Sequence, residues 1–160
     1  MPLQADRTSP TTLTVTRRFA ADPARAFAAH TDAALLPRWC TGPGGWSMPV
    51  CESDPRPGGA FSYEWASDAD PSQGFHATGL YREVEPPLGG RMGRTVHVER
   101  MFLPDPTPET LVTTTFAPDG EGGTILTMVM SLHDEAAMDA VLATGMADGL
   151  EASYARLDAL

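Results

Sequence analysis

The sequence predicts an α+β fold in which a curved antiparallel sheet wraps around one long C-terminal helix. Three observations lead there. Short β-branched and aromatic runs, separated by Gly- and Pro-rich breaks, fill the middle of the chain. Two short helical segments follow the first of these runs, and after Ser131 the apolar spacing changes from alternation to a helical repeat.

The stretch 11–20, TTLTVTRRFA, sets Leu13, Val15 and Arg17 against Thr14, Thr16 and Arg18, the alternation of a strand. Residues 1–10 read as a tail, and 11–160 as a single domain. Asp22 before Pro23 opens a short helix through His30, because the carboxylate accepts an orphan backbone N–H and proline loses nothing at the first helical position. Asp32 repeats the capping logic for AALL, and Pro37 ends that second short helix before Arg38 and Trp39. Between 41 and 59 the glycines and prolines leave room only for a short strand over 47–52. Phe61, Tyr63 and Trp65 then alternate with Ser62, Glu64 and Ala66, which puts three aromatic rings on one sheet face. Further strands are expected over 75–84, 95–102, 110–116 and 124–131, broken by PPLGG, PDPTP and PDGEGG, with Asp119-Gly120 as a natural turn. Finally Met138, Val141, Leu142, Met146, Leu150, Tyr154 and Leu157 recur at helical spacing behind Asp134 and Glu135, as one long amphipathic helix.

Acidic residues outnumber basic ones 21 to 11, the formal net charge is -10, and every basic side chain other than histidine is arginine. Such a surface repels phosphate backbones and anionic lipids, so neither nucleic acid nor a membrane is expected as a partner. With 42% hydrophobic and 20% charged residues the chain groups with globular sequences, and 160 residues suffice for a core. The opening MPLQADRTSPTT has no charged and apolar leader pattern, and no run of about 18 apolar residues occurs, so the cytoplasm is the expected location. Cys40 and Cys51 are accordingly expected as free thiols.

Taken in order, RRFAADPARAFAAHTDAALLPRW, PVCESDPRPGGAFSYEW, GLYREVEPP, ETLVTTTF, GGTILTM and ATGMADGLEASYARL resemble the bacterial START-like proteins known as activator of heat-shock-protein-90 ATPase homologues, within the SRPBCC superfamily. The resemblance spans residues 14–157. It implies the helix-grip fold (START-like, Bet v 1-like), a cavity between sheet and helix, and the binding of hydrophobic small molecules found in many superfamily members. One local departure stands out. Family members often carry two adjacent tryptophans followed by Gly-Pro where this chain reads RWCTGPGGW, so Cys40 takes the second place and Trp46 is available to refill that space.

Given the cavity that the resemblance implies, the candidate ligand-binding residues are Trp39, Trp46, Phe61, Tyr63, Trp65, Tyr81, His97, Glu99, Met101 and Met128, with Gly145, Met146, Gly149 and Leu150 from the helix. An aromatic and methionine stripe is equally what ordinary core looks like. Gly145 and Gly149 fall on one face of the expected helix, each at a cost of about 1 kcal/mol against alanine. They leave room either for a ligand or for the close approach of a strand or second chain, and both readings stay open. His97, Glu99 and Met101 share a strand face. The apolar Val96 and Val98 turn that face outward on periodicity, whereas the family pattern, with a large apolar residue at the position of His97, turns it inward; the sequence does not choose.

No catalytic residue is assigned. His30, His76 and His133 are scattered, without HxxxH or CxxC spacing, so no metal is expected; GPGG lacks the lysine and the strand-to-helix context of a phosphate loop, so no nucleotide or other cofactor is implied. The function that follows is a cytoplasmic binding protein for a small hydrophobic or amphipathic molecule. A cyclase- or hydrolase-like enzyme using His97 and Glu99 or Tyr63 for proton transfer is one alternative, and a chaperone-ATPase-stimulating interaction protein is another. A homodimer is compatible with each.

Overall fold

The computed structural model describes residues 2–160. One antiparallel sheet is built from β1 (Gln4–Ser9), β2 (Thr12–Phe19), β3 (Trp46–Ser53), β4 (Ala60–Ser67), β5 (Gly74–Glu85), β6 (Gly93–Phe102), β7 (Thr110–Pro118) and β8 (Thr124–Ser131). Their order is β1-β2-β8-β7-β6-β5-β4-β3, so β3 to β8 form a meander whose last strand returns to lie beside β2. Helices α1 (Pro23–Thr31), α2 (Glu135–Ala143) and α3 (Met146–Asp158) complete the helix-grip α+β fold. Local chemistry sets the element ends as expected. Asp22 accepts from the Arg25 amide at 2.9 Å and Asp134 from the Ala137 amide at 2.8 Å, each capping a helix. In the β7–β8 turn, Asp119 accepts from the amides of Glu121 and Gly123, and from Arg18 Nε at 2.7 Å. Those backbone bonds first, and Arg18 after them, hold its carboxyl below the usual range.

Three expectations are corrected. Residues Gln4–Ser9, read as part of a tail, form edge strand β1, paired with β2 from Gln4↔Thr16 to Ser9↔Thr12. Almost every side chain of β1 is exposed, so backbone pairing with the open edge of β2 recruits it and no apolar alternation announces it. The second short helix is a single 3-10 turn, Leu36–Arg38. The long terminal helix is two helices, broken at Gly145, which adopts φ 72° in the left-handed region where an L side chain is strained. Apolar spacing runs on through the break, so periodicity alone could not reveal it.

Beneath the helices the core has two parts. Phe19, Phe27, Leu36, Trp39, Phe116, Leu126, Tyr154 and Leu157 bury α1 and α3 against the sheet, while Leu13, Val15, Leu132 and Met138 bury α2. Met128 and Leu150 pack against both. Polar fastenings then fix α3. Buried Arg17 on β2 pairs with Glu151 at 3.0 Å and with Asp158, and it holds the Glu151 carboxyl below its ordinary range. Ser153 Oγ accepts from the Gly42 amide at 2.8 Å, and Arg156 donates to Thr41 Oγ1 at 2.9 Å. The terminal helix is thereby tied to the Gly-rich loop after Trp39.

A candidate ligand groove on the concave sheet face

The strand register decides which way His97 and Glu99 point. His97 stands opposite Tyr81 on β5 and Val112 on β7, Val112 opposite Met130, and Met130 opposite Leu13 of the core. Directly paired residues share a sheet face, so His97 is on the inner face, and Glu99 and Met101 with it. Val98 lies instead in an outer row with Leu111 and Leu80, the last 51% exposed. Cross-strand packing on the outer face explains its valines and leucines; there the apolar alternation pointed the wrong way.

His97 Nε2 lies 3.1 Å from Glu99 Oε1, with side-chain exposures of 20% and 22%. The carboxylate accepts from the ring at Nε2, which leaves Nδ1 turned away from Glu99. Such a pair can accept or donate a hydrogen bond and can relay a proton. Gly79 lies between Phe61 and Glu99 in the same cross-strand row. A Cβ there would sit 2.1 Å from Phe61 Cζ and 2.5 Å from the Val98 carbonyl oxygen, so the missing side chain lets the Phe61 ring lie across β5 toward His97, at 5.2 Å between centroids.

From there the aromatic rings continue to the rim. Phe61 and Tyr63 stack at 4.9 Å, Tyr63 meets Trp65 edge-on at 5.9 Å, Trp65 stacks on Phe75 at 4.9 Å, and Phe75 meets Trp46 at 5.6 Å. Trp65 Nε1 donates to the Cys40 carbonyl at 2.7 Å, which fixes its indole at the groove mouth. A hollow of about 230 Å³ opens there, lined by Thr41, Gly42, Pro43, Trp46, Trp65 and Phe75. A second hollow, about 490 Å³ and shallower, lies elsewhere, between the C-terminal end of α1 and β3, against Phe27, Thr31, Asp32 and Pro55. Burial first, and Tyr81 second, raise the Tyr63 phenol above its ordinary value, so it stays protonated at neutral pH. The Cys40 thiol is pushed up to about 12 by burial, then by Cys51 and Glu99, against the opposing pull of Arg156. It is therefore a quiet thiol that sits near the His97–Glu99 pair.

The expected site residues divide. Tyr63, Trp65, His97, Glu99, Met101 and Met128 lie half-buried on the inner face, and Trp46 at the rim. Trp39 belongs to the core, stacked on Tyr154 at 5.7 Å with its Nε1 donating to the Ala29 carbonyl. Phe61 and Tyr81 are buried, and the Tyr81 hydroxyl lies 2.9 Å from Ser53 Oγ, which also donates to the Thr31 carbonyl. Met146 packs beside the α2 part of the core and Leu150 against both parts. Gly145 is no part of a helical face; it is the exposed joint between helices, and a Cβ there would meet nothing within 4 Å. Gly149 is helical, and its Cβ would meet Pro43 Cδ at 3.6 Å. Sequence reasoning missed Phe75, Ala77 and Gly79, although they alternate with Tyr81 on one strand face and were legible as one row.

Residues 20–160 match the family described as activator of Hsp90 ATPase homolog 1-like protein. The chain belongs to that family. A solved protein of Rhodobacter sphaeroides is 35% identical, with a TM-score of 0.87 over 99% of this chain and 97% of its own. One from Chromobacterium violaceum is 27% identical, with a TM-score of 0.75 over 94% and 96%. A protein of Mycobacterium smegmatis, 24% identical with a TM-score of 0.80 over 99% and 96%, shares the fold. No functionally curated protein matches the chain. In this member of the Hsp90-ATPase-activator-homologue-like family, Cys40 packs against the core beside Trp39, while Trp46 turns to Phe75 at the groove mouth. Among the described residues no helix is long and apolar enough to cross a membrane, and no cluster of three metal-ligating side chains occurs.

Proposed function

We propose that this chain binds a small, largely apolar molecule in the groove between α3 and the inner faces of β3 to β6, entering past Trp46 and Trp65. The family's fold supports ligand binding in general. One observation carries the specific reading: a row of rings from Trp46 to Phe61 runs from an open slot to the half-exposed His97–Glu99 pair. An apolar wall with one polar focus is the composition of a small-molecule site, since rings supply contact area and a few polar groups fix orientation. The slot of about 230 Å³ falls below the range of roughly 300–1,000 Å³ that holds drug-sized ligands, so the ligand is small or lies partly in the open groove.

Titration with Nile red, an uncharged dye that brightens in apolar surroundings, tests this. Saturable enhancement is expected, weakened about tenfold by Trp46→Ala at the rim and unchanged by Leu80→Ala on the outer face. Equal loss in both variants, or none in either, would rule out the slot as the entry.

A further inference from the structure

We propose that the molecule held in this groove carries a protonated amine on a compact apolar body, with the ammonium seated against Glu99 and His97. The inference rests on the groove reading and adds the head group. A carboxylate facing an aromatic-lined interior is costly unless a donor or a positive charge offsets it. Glu99 meets only His97, through Oε1. Among the described residues, Glu99 Oε2 has no protein hydrogen-bond partner, so the pair presents a free carboxylate oxygen.

The surrounding cations are already engaged. Arg17 is held by Glu151 and Asp158, and Arg156 by the Trp39 carbonyl and Thr41 Oγ1. Arg94 and Arg100 alternate with the inward residues of β6 and pair with Glu83 and Glu109. An anionic ligand would therefore meet a carboxylate with no counter-charge, and a purely apolar one would leave that carboxylate unmatched. An ammonium group supplies a donor for that oxygen, in a charge-assisted hydrogen bond.

Three probes that share one ring system separate the head group from the body: naphthylmethylamine, naphthylmethanol and naphthoic acid, each titrated calorimetrically at pH 7. The amine is expected to bind about ten- to a hundredfold more tightly than the acid, with the alcohol between them. Glu99→Gln keeps the shape and is expected to abolish that preference while leaving the alcohol's affinity within about threefold. Because a net charge of -10 attracts any cation, the exposed Glu64→Gln on β4, which removes the same formal charge, serves as the control and should keep the preference. Should amine and acid bind alike, or should the preference survive Glu99→Gln, the head-group inference is overturned while the groove reading stands. If none of the three binds at millimolar concentration, both fail together.

Discussion

The two halves of one sheet face differ in how they are covered. Across β2, β8 and β7 the inner residues Leu13, Val15, Phe19, Leu126, Val112 and Phe116 are sealed under the helices. Across β3 to β6 the inner face holds Cys51, Tyr63, Trp65, His97, Glu99 and Met101, which are partly buried, alongside Phe61, Ala77 and Tyr81, which are buried. Both halves alternate in the same way along their strands, and the difference lies overhead. Arg17, Ser153 and Arg156 fasten α3 above the first half and along the Gly-rich loop, and the second half is a less completely covered trough. The first half contributes most of the buried core, and the second carries the carboxylate, imidazole and aromatic rings on which the proposed site is built.

The sharpest way to break this comparison is a matched pair of truncations. Leu126→Ala, in the sealed half, is expected to cost about 3–4 kcal/mol in urea unfolding, because the side chain is lost and a cavity remains. Met101→Ala, in the trough, should cost about 1 kcal/mol, since water already reaches the site. Equal losses would mean that the trough is core.

Next in size is a pH effect confined to the sealed half. The His30 ring lies among Phe19, Trp39, Phe116 and Tyr154, with Nδ1 2.7 Å from the Ala26 carbonyl oxygen and a buried Nε2 that has no partner among the described residues. Burial lowers its pKa from 6.5 to about 4, with the Ala26 bond opposing. The unfolded chain therefore binds the proton more readily over this interval. Stability is full above 6.5, falls as pH drops toward 4, and levels off below that as far as this group is concerned. Between pH 7 and 5 the wild type should lose about 2 kcal/mol in urea unfolding that His30→Phe does not lose. This window lies above the one in which Glu151 and Asp119, with lowered pKa values, begin to protonate. A parallel loss in the variant would assign the effect to other groups.

The smallest expected effects sharpen the boundary between helix and trough. Gly149→Ala should raise stability by about 0.5–1 kcal/mol, because its Cβ meets Pro43 at an ordinary contact distance and a helical glycine is replaced. Gly145→Ala should lower stability by about 1 kcal/mol despite the open space around it, because φ 72° strains an L side chain. Thermal unfolding of the two variants reads the signs, and opposite signs identify one glycine as a joint and the other as a passive spacer beneath the loop.

Much of this architecture was legible in the chain. The strands from Thr12–Phe19 to Thr124–Ser131 follow from alternation and from Gly- and Pro-rich breaks, and the caps at Asp22 and Asp134 from their carboxylates. The aromatic face of β4 was read directly from Phe61, Tyr63 and Trp65. Edge strand β1 was not legible, because hydrogen bonding to a neighbour leaves no mark on a sequence whose two faces are both wet. Nor was the break at Gly145, where the apolar repeat continues and only a backbone angle changes.

By itself, then, the sequence determined the succession of elements and the composition of each strand face, because alternation, helical spacing, capping and turn chemistry act between near neighbours along the chain. Only the tertiary structure decided which face is inner at His97 and Glu99, that Trp39 joins the core while Trp46 turns to Phe75 at the rim, and that the inner face of β3 to β6 is less completely buried than that of β2, β8 and β7. Those outcomes depend on where α3 comes to rest. The buried Arg17 pairs and the close passage of Pro43 over Gly149 set that position, and both join residues more than a hundred positions apart.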